Sequence, residues 1–174
     1  MGSRVLQIVP IGNAPLPLLR ELEIPLSAQL GLTVGYGKPG LTSPAYAFNK
    51  DRNQYHSNAI MRRLVPLLDR EGSVLGITDV DLFVPDSPFV FGEADRESRV
   101  AILSVSRLRQ GADDAIFRRR VQIQGLHEAG HLVGLSYCED ARCAMFVATS
   151  LADLDRQQQS LCHICRNELV KLGR

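Results

Sequence analysis

The residues with the greatest chemical reach lie between positions 127 and 165. His127-Glu128-Ala129-Gly130-His131 spells H-E-x-x-H. On a helix, four residues advance a little over one turn, so both imidazoles project from one face and can hold one ion. Glu128 beside them can act as general base toward a metal-activated water and return the proton to a leaving amine. Zn2+ in such a site acidifies the water toward a pKa of about 7 and polarises the scissile carbonyl. The bland alternative is a helix that carries His, Glu and His by chance.

Leu132-Val133-Gly134-Leu135-Ser136-Tyr137 follows directly. Gly134 can adopt the left-handed conformation that ends a helix and sends the chain back toward the metal. The extended pattern H-E-x-x-H-x-x-G-x-x-H then requires a third His ligand. This sequence has Tyr137 there. A phenol is a poorer neutral ligand than imidazole, and its oxygen lies farther from the backbone. Three arrangements remain open. The loop gives ground and a phenolate ligates; waters or an anion complete a two-His site; or His56 or His163 substitutes, although His163 is expected to face solvent. Losing the imidazole lowers metal affinity by more than about 10–100-fold, so a weakly metallated or dormant catalytic site is expected.

The four cysteines, Cys138, Cys143, Cys162 and Cys165, crowd into the last quarter of the chain. Their grouping, C-x4-C and then C-x2-C, suits a tetrahedral zinc held by four thiolates, one pair on a tight turn and one at a helix start. Two disulfides or four reduced buried thiols are the alternatives. A disulfide framework, however, normally spreads through a small secreted chain.

These residues need a scaffold, and the hydrophobic periodicity supplies one. Strands are expected at 4–10, 32–36, 74–84, 89–92 and 100–105, with a polar interruption at Thr78-Asp79. Ser57–Arg70 reads as an amphipathic helix capped by Ser57 or Asn58 and stopped by Gly72. Leu16–Leu30 carries Leu at helical spacing, broken by its prolines. A long helix over 113–132 bears the H-E-x-x-H, and a last one spans 168–172. The order indicates an α/β (α+β) sandwich with helices on a mixed sheet. Arg118–Arg120 reads as a solvated or ion-paired face. Asp79 and Asp81 share one strand face, as an edge or turn pair rather than a metal site. Gly37–Gly40 lacks the phosphate-loop pattern.

Composition closes off other classes. The chain has 174 residues, 45% hydrophobic and 22% charged, with a formal net charge of +1. That is globular material without the basic surplus of a nucleic-acid or anionic-lipid binder. No apolar run is long enough to span a membrane. The opening MGSRVLQIVPIG has no long apolar core or small-residue cleavage site and is not expected to be a secretory signal, and Met1-Gly2-Ser3 can be a tag remnant. A cytoplasmic monomer acting on peptide or protein substrates, without nucleic acid or membrane, is expected.

The run HEAGHLVGLSYCEDARCAM, with CHIC after it, resembles the archaemetzincin family of metzincin-type zinc peptidases, and every element of that pattern is present except the last His. RNQYHSNAI, LGITDVDLFVP and FVFGEAD are similar to the family too, so the resemblance covers most of the chain. It implies a twisted mixed sheet with an active-site helix and a backing helix in an upper subdomain (1–134). A lower subdomain (135–174) would carry the Met-turn and the four-cysteine zinc. It further implies one catalytic zinc on His127 and His131, Glu128 as catalytic residue, Met145 as the apolar floor of that site, and Phe89–Glu93 as a substrate-binding edge strand. Peptide-bond hydrolysis, weakened or dormant through Tyr137, is the expected activity. The alternative is an impaired relative that binds peptides or protein partners.

Overall fold

The computed structural model describes residues 4–173. Met1–Ser3, read above as a tag remnant, and Arg174 lie outside the described residues. The chain begins with strand β1 (Arg4–Ile11), then helices α1 (Leu16–Glu21) and α2 (Glu23–Leu30) and strand β2 (Leu32–Gly35). Short strands β3 (Phe48–Asn49) and β4 (Gln54–His56) lead into helix α3 (Ser57–Leu64). Strands β5 (Ser73–Thr78), β6 (Leu82–Phe83), β7 (Gly92–Asp95) and β8 (Val100–Ser104) follow. Helices α4 (Asp114–Val133), α5 (Leu151–Arg156) and α6 (His163–Leu172) complete the described chain.

The main sheet has the order β2-β1-β5-β8-β7. Its first four strands run parallel, and β7 pairs antiparallel with β8 at the edge. The parallel strands are apolar on both faces because both faces are covered. Leu6, Ile8, Leu75, Ile77 and Leu103 pack under α1, α2 and α4. Val9, Ile11, Val74, Val100 and Ile102 pack against Ile60, Met61 and Leu64 of α3. This is the mixed α/β sandwich expected from the sequence, and its β7 edge and α4 frame the functional site. Among the described residues, no helix is long and apolar enough to cross a membrane.

Several boundaries differ from expectation. Helix α3 stops at Leu64 instead of Arg70, because Pro66 has no N–H to continue the ladder and the chain tightens into a 3-10 turn at Val65–Leu67. Ser57 and Asn58 do not cap it. His56 holds the N-cap position without a side-chain bond, and the Ser57 hydroxyl donates to Glu93. Strand β7 starts at Gly92, whereas Phe89 and Phe91 stack edge-on at 5.1 Å before it. Helix α6 begins at His163 and so includes Cys165. Helix α5 was not anticipated, although Ser150 caps it by accepting from the Asp153 N–H. The cysteine-bearing segment does not stand apart. Cys143, Ala144, Met145, Leu154 and Cys165 join the same buried cluster as α4.

Candidate active site

Helix α4 is fixed at both ends before it presents any chemistry. The Asp113 carboxylate accepts from the Ile116 N–H at 2.8 Å. Gly134 closes the helix at φ 111°, a conformation that favours glycine, and its N–H bonds back to the last turn. Between these caps, His127 and Glu128 are buried, at 6% and 3% exposure.

The two imidazoles are held in one tautomer by backbone carbonyls. His127 Nδ1 lies 2.8 Å from Ala144 O, and His131 Nδ1 lies 2.9 Å from Leu135 O. A carbonyl can only accept, so each Nδ1 carries the proton and each Nε2 presents a lone pair. The two Nε2 atoms converge to 3.1 Å. Two nitrogens about 2.0–2.1 Å from a tetrahedral zinc stand roughly 3.3 Å apart, so this pair fits the metal. Burial, reinforced by His131, pushes the His127 pKa down to about 4, and burial also lowers that of His131. Both rings are therefore in the neutral form that ligates.

Glu128 accepts a 2.7 Å hydrogen bond from Gln124 one turn earlier. Burial raises its pKa to about 8 against that bond, the nearby Glu93 carboxylate adds to the rise, and a cation held by the adjacent imidazoles would draw it back toward the ionised form that a base requires. Strand β7 presses on it from above, since a Cβ on Gly92 would lie 2.8 Å from Glu128 Oε1. The free edge of β7, Glu128, both imidazoles and Tyr137 border a cleft of about 740 Å³.

Tyr137 stands over the histidine pair. Its ring centroid is 4.6 Å from that of His131 and 5.8 Å from that of His127, and the residue is 65% exposed. Partial burial and the Glu128 and Glu93 carboxylates hold the phenol pKa above its ordinary value. The other two histidines do not join the site. His163 is exposed at the start of α6, and His56 packs edge-on against Phe83 at 5.2 Å.

Met145 is fully buried beneath α4. A Cβ on Gly130 would come within 2.4 Å of its Sδ, so the glycine inside H-E-x-x-H makes room for the methionine. The loop bearing Met145 is clamped by Gln157, whose buried side-chain amide donates to Cys143 O, Ala144 O and Phe146 O at 2.9, 3.3 and 3.0 Å. Ala144 O is also the acceptor that orients His127.

The same loop carries half of a second centre. Cys138, Cys143, Cys162 and Cys165 bring their sulfurs within 4.8 Å of one another. The pairs Cys138–Cys162 and Cys143–Cys165 are each 3.7 Å apart. A disulfide would need about 2.05 Å, and all four thiols are free. Tetrahedral zinc at about 2.3 Å from each sulfur gives an S–S edge of roughly 3.8 Å, which these two pairs match. Backbone N–H groups of Met145 and Cys162 point at Cys143 Sγ from 3.4 and 3.3 Å.

Two sequence expectations hold and gain detail. Of the arginine triplet, Arg118 is solvated, but Arg120 is only 4% exposed. It makes paired 2.8 Å bonds to Asp155 and donates to Leu108 O and Gln110 O, which ties α5 to α4. Asp81 is held by Arg107 at 2.8 and 2.9 Å and by Gln54, while Asp79 is exposed, so the two are no metal pair. Sequence reasoning missed Gln124 and Gln157. The spacing of Gln124 from Glu128, one helical turn, carried a usable signal; Gln157 carried none.

The sequence model of peptidase family M54 matches residues 40–171. The archaemetzincin of Methanocaldococcus jannaschii is 31% identical over 171 residues, covering 95% of this chain and 93% of that protein. The crystal structure of archaemetzincin from Methanopyrus kandleri superposes with a TM-score of 0.89 at 32% identity, over 98% of this chain and 96% of that one. A structure described as a zinc-dependent peptidase from Methanocorpusculum labreanum gives a TM-score of 0.84 at 29% identity, over 94% and 99% of the two chains.

Proposed function

This chain belongs to peptidase family M54, the archaemetzincins, and is a zinc metallopeptidase by family, and we propose that it hydrolyses peptide bonds in the cleft between β7 and α4. The observation that carries the reading is the convergence of two neutral imidazoles at 3.1 Å beside the buried carboxylate of Glu128. His127 and His131 would hold a catalytic zinc through Nε2, and Cys138, Cys143, Cys162 and Cys165 a structural one. Zinc in the histidine site supplies Lewis acidity, polarising a carbonyl and lowering the pKa of a water.

The chain's own groups do the rest. The free edge of β7 offers backbone donors and acceptors to an extended substrate, which draws the scissile amide toward Glu128. Glu128 takes a proton from the attacking water at a carboxylate oxygen as the new C–O bond forms, then delivers it to the amide nitrogen as the C–N bond breaks. Gln124 holds that carboxylate in place. Gly130 and Met145 fix the floor under the imidazoles, and Ala144 and Leu135 carbonyls keep their lone pairs aimed at one point. In this reading the described residues up to 134 form the upper part and those from 135 onward the lower part of one compact unit.

Tyr137 supports a finer statement. It occupies the third-ligand position with a neutral phenol, so the histidine site binds zinc weakly and turns over slowly or lies dormant. An impaired, peptide-binding relative is the second reading, favoured by this residue alone. Purified wild type, Glu128→Ala and Tyr137→His assayed on a mixed peptide pool separate the cases. The peptidase reading expects hydrolysis that Glu128→Ala abolishes and Tyr137→His increases. Hydrolysis that survives Glu128→Ala would sink it, and activity absent from wild type but gained in Tyr137→His would favour the impaired relative.

A further inference from the structure

The cleft has two unlike ends on either side of Gly92, the residue that touches Glu128. Before Gly92 in the chain, the wall is apolar, formed by Val84, Pro88, Phe89 and Phe91. Beyond β7 lies Arg96, the sole Lys or Arg among the described residues lining the cleft. Its guanidinium rests on the helix cap, since a Cβ on Gly134 would sit 2.9 Å from Arg96 Cζ. Gly134 therefore serves twice, for its left-handed φ and for this close approach.

Arg96 is exposed, and among the described residues its side chain enters none of the ion pairs and makes no hydrogen bond. Several other arginines are committed. Arg52, Arg63, Arg107 and Arg109 lie over aromatic rings, and Arg120 is bound to Asp155. Arg96 also borders a neighbouring hollow lined by Arg4 and Arg99, with Glu71 as the one acid. Within the cleft the acids Glu93 and Glu128 lie toward the imidazoles, and Arg96 adjoins a hollow in which three guanidiniums face one carboxylate, so the positive charge is at this end.

We infer that Arg96 determines specificity by binding a carboxylate side chain of the substrate on the N-terminal side of the scissile bond. The inference rests on the reading of the cleft as a peptide site. Its polarity follows from antiparallel addition, the commoner pairing and the one β7 already makes with β8. The outer edge of β7 is unpaired, and a strand added antiparallel to it runs backward relative to Gly92–Asp95. Substrate residues upstream of the bond cleaved beside Gly92 then pass toward Arg96. At roughly 3.3 Å per strand residue, and with an arginine side chain reaching back, contact falls about three residues upstream. A guanidinium held against a helix cap offers its fork of donors to a carboxylate with little reordering.

Uncleavable peptides with a reduced amide at the intended scissile position test this directly. One residue upstream or downstream is varied among Glu, Gln and Lys, and binding is followed by fluorescence anisotropy. The wild type should bind the upstream-Glu peptide about three- to ten-fold more tightly than the Gln peptide at low salt, with the gap shrinking as salt rises. Arg96→Gln should erase the gap, and Arg96→Glu should invert it in favour of Lys. Equal binding of Glu and Gln peptides by wild type overturns the inference. So does a preference that survives Arg96→Gln, one confined to downstream positions, or no binding at all. Cleavable versions run in parallel keep the two ideas apart. Preference without hydrolysis leaves Arg96 in place and removes the peptidase reading; hydrolysis without preference does the reverse.

Discussion

The four-cysteine cluster and the two-histidine centre share one loop, 138–146, yet they differ in completeness. The cysteine set offers four sulfurs at the spacing of a closed tetrahedron. The histidine pair offers two aimed nitrogens and, where a third imidazole is expected, the exposed ring of Tyr137. Structural zinc sites are closed with four protein ligands, whereas catalytic sites keep one position open and rely on three. On the proposed reading the open site is short by one, so the two centres should separate widely in affinity. The two centres are also linked in geometry. Cys143 anchors the loop whose next residue, Ala144, orients His127 and whose following residue, Met145, supports Gly130. The cysteine centre therefore holds the histidine centre in shape.

The largest effect expected from breaking this arrangement is at the cysteines. Cys143→Ser should release the structural metal and lower stability by at least about 4 kcal/mol, because metal binding in such sites is folding free energy. Zinc analysis with thermal denaturation checks it; an unchanged melting temperature would mean that the cluster is not structural. Gln157→Leu comes next. It leaves three loop carbonyls without their shared donor, at a cost of about 1–3 kcal/mol. It should also weaken zinc at the histidines while leaving the cysteine metal in place, which metal titration can resolve. If both metals respond equally, the clamp does not act through Ala144. A smaller effect is expected for Gly130→Ala, whose methyl group meets Met145 Sδ. Overpacking of this kind costs about 1–3 kcal/mol in tight cores, and Met145, being unbranched, should yield and hold the loss near 1 kcal/mol. Chemical denaturation measures that loss. Pairing with Met145→Ala should cancel the clash, and additive losses in the double variant would place the strain elsewhere.

What the sequence made legible divides along physical lines. His127, Glu128 and His131 could be read because their spacing is internal to one helix, and the cysteines because four of them cluster where chain geometry allows a tetrahedron. The short continuous apolar runs gave the sheet, since strands buried on both faces carry apolar residues at nearly every position. The end of α3 was written in Pro66, a stop signal outweighed by the leucines after it. The cap of α5 was likewise present in Ser150 and Asp153. The remainder had no local signature. Ala144 acts through a backbone carbonyl, Gln157 through contacts set by loop closure, and Arg120 is buried only because α5 folds back to bring Asp155 against it. Arg96 acquires its place from the turn after β7 and the cap of α4, which are distant in sequence.

The asymmetry between the two centres is tested most directly by counting zinc. Purified protein is dialysed against a weak chelator and assayed for metal per chain, alongside Tyr137→His. The account predicts one retained zinc in the wild type and two in Tyr137→His, with histidine-site affinity rising by at least about 10–100-fold. Two tightly retained ions in the wild type, with no gain on Tyr137→His, would contradict it.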